Sequence, residues 1–110
     1  MSYRIEPTER FQREAKRLAK KFRSIPSELR ELSQELEANP HLGTDLGAGI
    51  FKIRLAVKSK GKGKSGGGRV VTYVIDEEEV IHLLTIYDKS EFDTIETSEL
   101  RELVKELFPK

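Results

Sequence analysis

The residues best equipped for chemistry lie between Phe51 and Glu91. The run Lys58-Ser59-Lys60-Gly61-Lys62-Gly63-Lys64-Ser65-Gly66-Gly67-Gly68 alternates cations with glycines. Mobile ammonium groups then stand on a backbone whose N–H groups can approach a phosphate closely. The spacing is not the G-x-x-x-x-G-K-[ST] of a nucleotide cradle, and the run joins two strands instead of opening a helix, so a long polyanion suits it better than a nucleotide. Arg69 follows directly, and Lys52 and Arg54 share one face of the strand before the run. Pairing of these strands as a hairpin brings the three cations together at the base of the loop. A guanidinium offers a planar fork suited to phosphate and stays charged at any relevant pH. Tyr87-Asp88-Lys89 adds a ring that can stack on a base, a carboxylate and a further cation. Arg69, Tyr87, Asp88 and Lys89 are therefore the candidates for chemistry, and Lys52, Arg54, Lys58, Lys60, Lys62 and Lys64 the candidates for holding RNA.

The charge distribution supports this. The net charge is only +1, but no acidic residue occurs from Leu46 to Ile75. A second basic block comprises Arg10, Arg13, Lys16, Arg17, Lys20, Lys21 and Arg23, and the acids gather in Glu28 to Glu37, Asp76 to Glu79 and beyond Tyr87. Such segregation gives a positive patch on a nearly neutral molecule, although a solvated helix face is the ordinary alternative for the second block. With 110 residues, 36% hydrophobic and 35% charged, the chain is expected to form one domain over residues 1–110. It has no cysteine, which excludes disulfides and thiolate metal sites and fits a reducing compartment. No apolar run reaches membrane-spanning length and the N-terminus lacks a secretory pattern, so the cytoplasm is the expected location. His82, between Ile81 and Leu83 on a face with Val80, Leu84 and Ile86, reads as a core histidine; His41 lies in a turn without an evident partner. No metal-binding spacing is present, and neither metal nor cofactor is expected.

The elements that position these groups follow from periodicity. Tyr3 to Glu6 alternates as a short strand. Thr8 is the expected N-cap of a helix carrying Phe11, Ala15, Leu18 and Phe22, and Ile25-Pro26-Ser27 starts a second helix with Ile25, Leu29, Leu32 and Leu36 buried. Asn39-Pro40 closes it, making a helical hairpin. Phe51 to Lys58, Arg69 to Ile75 and Val80 to Tyr87 read as strands, the last two apolar on both faces and hence central. Thr97 or Ser98 is expected to cap a final helix carrying Leu100, Leu103, Val104 and Leu107. The expected class is α+β in the order β-α-α-β-β-β-α, with a helical hairpin on one face of a small, mainly antiparallel sheet and the other face partly open to a ligand.

Three stretches carry a resemblance: Gly49-Ile50-Phe51-Lys52-Ile53-Arg54-Leu55-Ala56, Lys64-Ser65-Gly66-Gly67-Gly68-Arg69-Val70-Val71, and Leu83-Leu84-Thr85-Ile86-Tyr87-Asp88-Lys89-Ser90-Glu91. In their order and spacing the chain resembles the RelE/ParE superfamily of bacterial toxins, and within it the HigB-like branch. The resemblance spans nearly the whole chain. It implies a RelE-like fold and the toxin of a type II toxin–antitoxin pair: a ribosome-dependent endoribonuclease, or mRNA interferase, that inhibits translation. Its implied partners are the ribosome, messenger RNA and a cognate antitoxin that is a small DNA-binding protein. The implied reaction drives the messenger's own 2′-hydroxyl onto the adjacent phosphate without metal, with Arg69 at the family's phosphate-contacting position and Tyr87 and Lys89 in the HigB-like segment. Many RelE-type nucleases also use a tyrosine near the C-terminus; Leu107-Phe108-Pro109-Lys110 contains none.

The chemistry requires removal of the 2′-proton, stabilisation of the phosphorane and protonation of the leaving 5′-oxygen. Arg69 and a loop lysine suit the second task. A free lysine or tyrosine titrates near ~10 and is a poor base at neutral pH unless neighbouring cations lower that value, and Asp88 is an alternative base. Groups this mediocre depend on a partner that aligns the RNA. Two other readings stay open: a ParE-type inhibitor of DNA gyrase that cleaves no RNA, and a non-catalytic RNA-binding module.

Overall fold

A computed structural model describes residues 3–61, 66–91 and 95–109. The elements are β1 (Arg4–Pro7), α1 (Glu9–Lys21), α2 (Ile25–Ala38), β2 (Thr44–Gly47), β3 (Ile50–Leu55), β4 (Gly68–Ile75), β5 (Val80–Asp88) and α3 (Thr97–Leu107), with single 3₁₀ turns at Lys58–Lys60 and Asp76–Glu78. The α+β class, the helical hairpin and the C-terminal helix are as expected. One strand was not legible: β2 has a single large apolar residue, Leu46, and leads into β3 through Gly47, Ala48 and Gly49, all with positive φ.

The five strands lie in the order β1-β5-β4-β3-β2. β1 runs parallel to β5 and every other pairing is antiparallel. β4 and β5 are central, which explains their apolar residues on both faces. Thr8 caps α1: its Oγ1 accepts from Phe11 N at 3.1 Å and donates to the Leu83 carbonyl at 2.9 Å, fixing the start of the helix to the sheet. Leu18, Ile25, Leu32 and Leu36 of the hairpin pack with Phe51, Ile53, Val70, Val74, Ile81, Leu83 and Ile86 against one sheet face.

The opposite face is less open than the sequence suggests. Leu100 of α3 is buried with Ile50, Val71, Leu84 and Tyr87, flanked by Leu103, Val104 and Phe108. These apolar side chains project from the sheet away from the hairpin and need a cover, which α3 supplies. The helix begins one residue earlier than expected: Leu100 N bonds to the Glu96 carbonyl at 3.2 Å, so Glu96 holds the N-cap position, without a side-chain cap.

β5 also departs from simple alternation. Val71 pairs with Thr85 but Thr72 pairs with Leu83, leaving Leu84 as an extra residue. Ile86 therefore turns to the hairpin side, while Tyr87 joins Leu84 under α3. The expected face shared by Val80, His82, Leu84 and Ile86 is broken at this bulge.

Gly43 allows β2 to lie close beside β3. Its φ is +104°, and a Cβ there would stand 2.6 Å from the Lys52 carbonyl oxygen. Gly43→Ala is expected to destabilise the protein by about 2 kcal/mol or more, from left-handed strain plus backbone clash. Urea unfolding of the two proteins measures the difference.

Candidate nucleic-acid site

The β3–β4–β5 register places Arg54 opposite Arg69 and Arg69 opposite Tyr87, one row across three strands. Alternation from Ile50 and Val71 puts Lys52, Arg54 and Arg69 on the face that carries Tyr87 and α3. Arg54 is exposed and Lys52 half-buried, whereas Arg69 and Tyr87 are only 6% and 2% exposed. Arg69 Nη1 donates to the Gly68 carbonyl at 2.9 Å. Arg54 and Arg69 thus stand directly opposite each other, two cations side by side in one row.

Asp88 lies on the other side of the sheet. Its carboxylate, 3% exposed, accepts from Lys60 Nζ and from Ser90 N at 3.1 Å, and Lys60 Nζ also reaches Ser90 Oγ at 3.3 Å. Lys60 Nζ stands 5.7 Å from the Phe22 ring centroid, on the hairpin side. Burial raises the Asp88 pKa, but the hydrogen bonds from Lys60 and Ser90 outweigh it and the net shift is downward. Lys60 and Asp88 thus form a buried ion pair at the loop base, away from the arginine row.

Lys58 is exposed, with Nζ 4.0 Å from Glu31, and its backbone N donates to Glu28 at 2.6 Å. Lys89 is half-buried in the turn after β5, and its N donates to the Gly67 carbonyl at 3.1 Å, closing the loop. Lys62 and Lys64 lie outside the described residues. The structure brings Lys52, Arg54, Arg69 and Tyr87 to one face, and separates Asp88 and Lys60 from them.

Sequence reading missed the anchor formed by Glu28, Ser24 and Ser59. Glu28, 4% exposed, accepts from Ser24 Oγ at 3.0 Å as well as from Lys58 N, and the Ser24 and Ser59 hydroxyls are 2.8 Å apart. The signal was present: Glu28 lies three residues after Ile25 and four before Leu32, on the buried stripe of α2. His82 contacts Tyr73 and Phe108, with centroids at 6.1 and 4.2 Å, and burial pushes its pKa down. His41, which had no evident partner in the sequence, has Nε2 2.8 Å from Asp76, which also accepts from Tyr3 Oη at 2.7 Å. Among the described residues no cluster of three metal-ligating side chains occurs, and no helix is long and apolar enough to cross a membrane.

A toxin architecture emerges when this fold is compared with known proteins. Residues 4–108 match the family described as the RelE toxin of the RelE/RelB toxin–antitoxin system. The chain belongs to this family of toxins. A double arginine-to-alanine mutant of the E. coli toxin RelE, in the free state, is 23% identical with a TM-score of 0.66, over 98% of this chain and 100% of that one. The RelBE2 toxin–antitoxin complex of Mycobacterium tuberculosis gives 20% identity and a TM-score of 0.60, over 80% and 92%. The intact E. coli RelBE toxin–antitoxin complex gives 22% and 0.61, over 79% and 96%. At these identities the likeness is one of fold.

Removing one partner of a buried ion pair costs about 3–5 kcal/mol, because the other charge is left uncompensated. Lys60→Met is expected to lose that amount at neutral pH. In the parent, the depressed Asp88 pKa contributes stability above the ordinary carboxylate range, lost as pH falls through the folded value. In the variant the lone buried carboxyl favours its protonated form, so the deficit narrows in acid. Urea titrations at pH 7 and pH 3 test both statements.

Proposed function

We propose that this protein is the toxin of a type II pair, of the HigB-like branch, which cleaves messenger RNA on the ribosome and is held inactive by a cognate antitoxin. The carrying observation is the row Arg54–Arg69–Tyr87, with Lys52 on the same face. The family match and the toxin–antitoxin complexes among the similar structures support the pairing with an antitoxin.

Messenger phosphate enters over the exposed Arg54 and the half-buried Lys52 and meets the buried Arg69 beside them. The 2′-hydroxyl oxygen attacks the adjacent phosphorus, its proton passes to a base, the P–O5′ bond breaks, and the 5′-oxygen takes up a proton. The products are a 2′,3′-cyclic phosphate and a 5′-hydroxyl. Fixed guanidinium donors stabilise the extra negative charge of the phosphorane without reorganising at the moment of reaction. Tyr87, buried at the end of the row with its ring under α3, is our candidate for donating its hydroxyl to a substrate oxygen rather than for stacking, and Lys89 in the following turn is the candidate for proton transfer. Asp88 faces away, which assigns it to holding Lys60. Alignment of the message for in-line attack supplies much of the remaining acceleration, and the ribosome is the partner that provides it.

Induction in cells, or addition to a translation extract, should generate new 5′ ends within messages. Intact messages together with blocked gyrase supercoiling would assign the protein to the ParE-type readings instead. Arg69→Ala and Tyr87→Phe should slow single-turnover cleavage by about 100- to 1000-fold; folded variants that cleave at the parental rate would refute the site.

The loop cations should act through affinity. Replacing Lys58, Lys62 and Lys64 with serine, while keeping Lys60, should lower the magnitude of the log–log salt slope of RNA binding by about 0.7 per lost phosphate contact. The rate at saturating ribosome should fall far less than in Arg69→Ala.

A further inference from the structure

The outward face of α1 plays no part in the site above. At 100° per residue, Arg10, Arg13, Lys16, Arg17, Lys20 and Lys21 fall within an arc of about 140°, opposite the stripe of Phe11, Ala15, Leu18 and Phe22 that packs on the sheet. Every one of these cations is exposed. Glu9 is the one carboxylate inside the arc, and Glu14 at its margin pairs with Arg17 at 3.0 Å, as does Glu91 at 2.9 Å. Arg10 Nε is turned to Thr85 Oγ1 at 3.3 Å. Arg13, Lys16 and Lys20 have no carboxylate within 4.0 Å among the described residues. The other helices differ: α2 carries Glu31, Glu35 and Glu37 outward, and α3 carries Glu99, Glu102 and Glu106.

We propose that the outer face of α1 is a second nucleic-acid surface, built for the backbone of double-stranded RNA. Its partner class rests on the ribosome-directed reading above. α1 packs on the hairpin side of the sheet and the Arg54–Arg69–Tyr87 row lies on the α3 side; Arg10, bonded to Thr85 opposite Val71, marks the edge of β5 where the two approach, and Arg13, Lys16 and Lys20 follow along the helix. The row is built on the sheet and the α1 face on a separate helix, so we assign them to two nucleic-acid segments.

The form of RNA follows from what the face contains. Single-strand binding relies on aromatic platforms for unpaired bases, and none is present in this arc: Phe11 is buried and Phe22 half-buried on the opposite side. The cations instead sit on a rigid helix, with Arg13 and Lys20 about 10 Å apart along its axis. Fixed cations match an equally fixed array of phosphates, as in an A-form duplex read by shape and backbone. The lysine loop and the sheet row are the complementary arrangement, suited to a flexible strand.

The test uses a 20-base-pair RNA duplex of mixed sequence, binding measured by fluorescence anisotropy at several salt concentrations, in the Arg69→Ala background. The triple variant Arg13→Gln, Lys16→Gln, Lys20→Gln should bind at least tenfold more weakly near 0.15 M salt. Its log–log slope should be lower in magnitude by about 2 to 3, at about 0.9 per lost duplex contact. Glutamine preserves helix propensity, and circular dichroism confirms the fold. The control Arg30→Gln, Lys105→Gln removes the same kind of charge from α2 and α3 and should bind as the parent does. An unchanged slope in the triple variant, or an equal loss in the control, overturns the proposal. So does a triple variant that loses polyglutamate binding while retaining the duplex, which would assign the face to an acidic protein. Because no cleavage is measured, a failed search for cut messages would count against the nuclease reading alone.

Discussion

In β5 a single extra residue decides which side chains meet. Without Leu84 as a bulge, strict alternation would put Ile86 on the α3 side and turn Tyr87 toward the hairpin, burying its hydroxyl among Leu18, Ile25 and Val70. Both faces of β5 are buried, so a shift of one residue is costly in either direction: it removes an aliphatic side chain from one core and forces a phenol into the other. The bulge settles this locally. It lets the strand begin in register with β1 and Ile81 in the main core, and finish with Tyr87 beside Arg69 and Asp88 beside Lys60.

The cations then divide by depth. Lys60 is consumed by Asp88, and the backbone of Lys58 by Glu28; these two carboxylates, one from α2 and one from β5, hold the near end of the lysine loop. The Lys89–Gly67 backbone bond holds the far end. Buried ion pairs of this kind contribute little net stability compared with a well-packed apolar pair, but they penalise alternative arrangements heavily, since either charge alone is expensive to bury. The loop is thereby fixed where it leaves the sheet, and Arg69 starts β4 from a defined point.

Most of the architecture was legible because it follows from apolar spacing. The hairpin stripe Leu18, Ile25, Leu32, Leu36 marked the face that packs on the sheet, and apolar residues on both sides marked β4 and β5 as central, although the second face was expected to be partly open. β2 was not legible, because Thr44-Asp45-Leu46-Gly47 has neither alternation nor β-branched density and exists by pairing with β3. The bulge was invisible for a different reason: periodicity describes a strand in isolation, whereas a bulge is a property of two strands in register. For the site, the basic row followed from alternation once the hairpin was assumed, but charge type does not reveal pairing. Lys60 looks like its neighbours in sequence and differs only because Asp88 faces it, and α3 over Tyr87 could be inferred only from the unclaimed apolar residues beneath it.

The parallel pairing of β1 with β5 joins the two ends of the fold: Arg4 lies beside Val80 and Pro7 beside Leu83, with both hairpin helices and most of the sheet between them in the chain. Contacts so distant in sequence close a large loop before they are rewarded, which makes for slow folding. Synthesis imposes the same order, because α1 and α2 leave the ribosome long before the strand that buries their apolar faces exists. The arginine row is absent until β4 and β5 have paired. A chain interrupted before β5 therefore carries the cations of the loop and of α1 without the row that sets Arg69 between Arg54 and Tyr87, and the time needed to complete the sheet separates the making of the polypeptide from the assembly of that row.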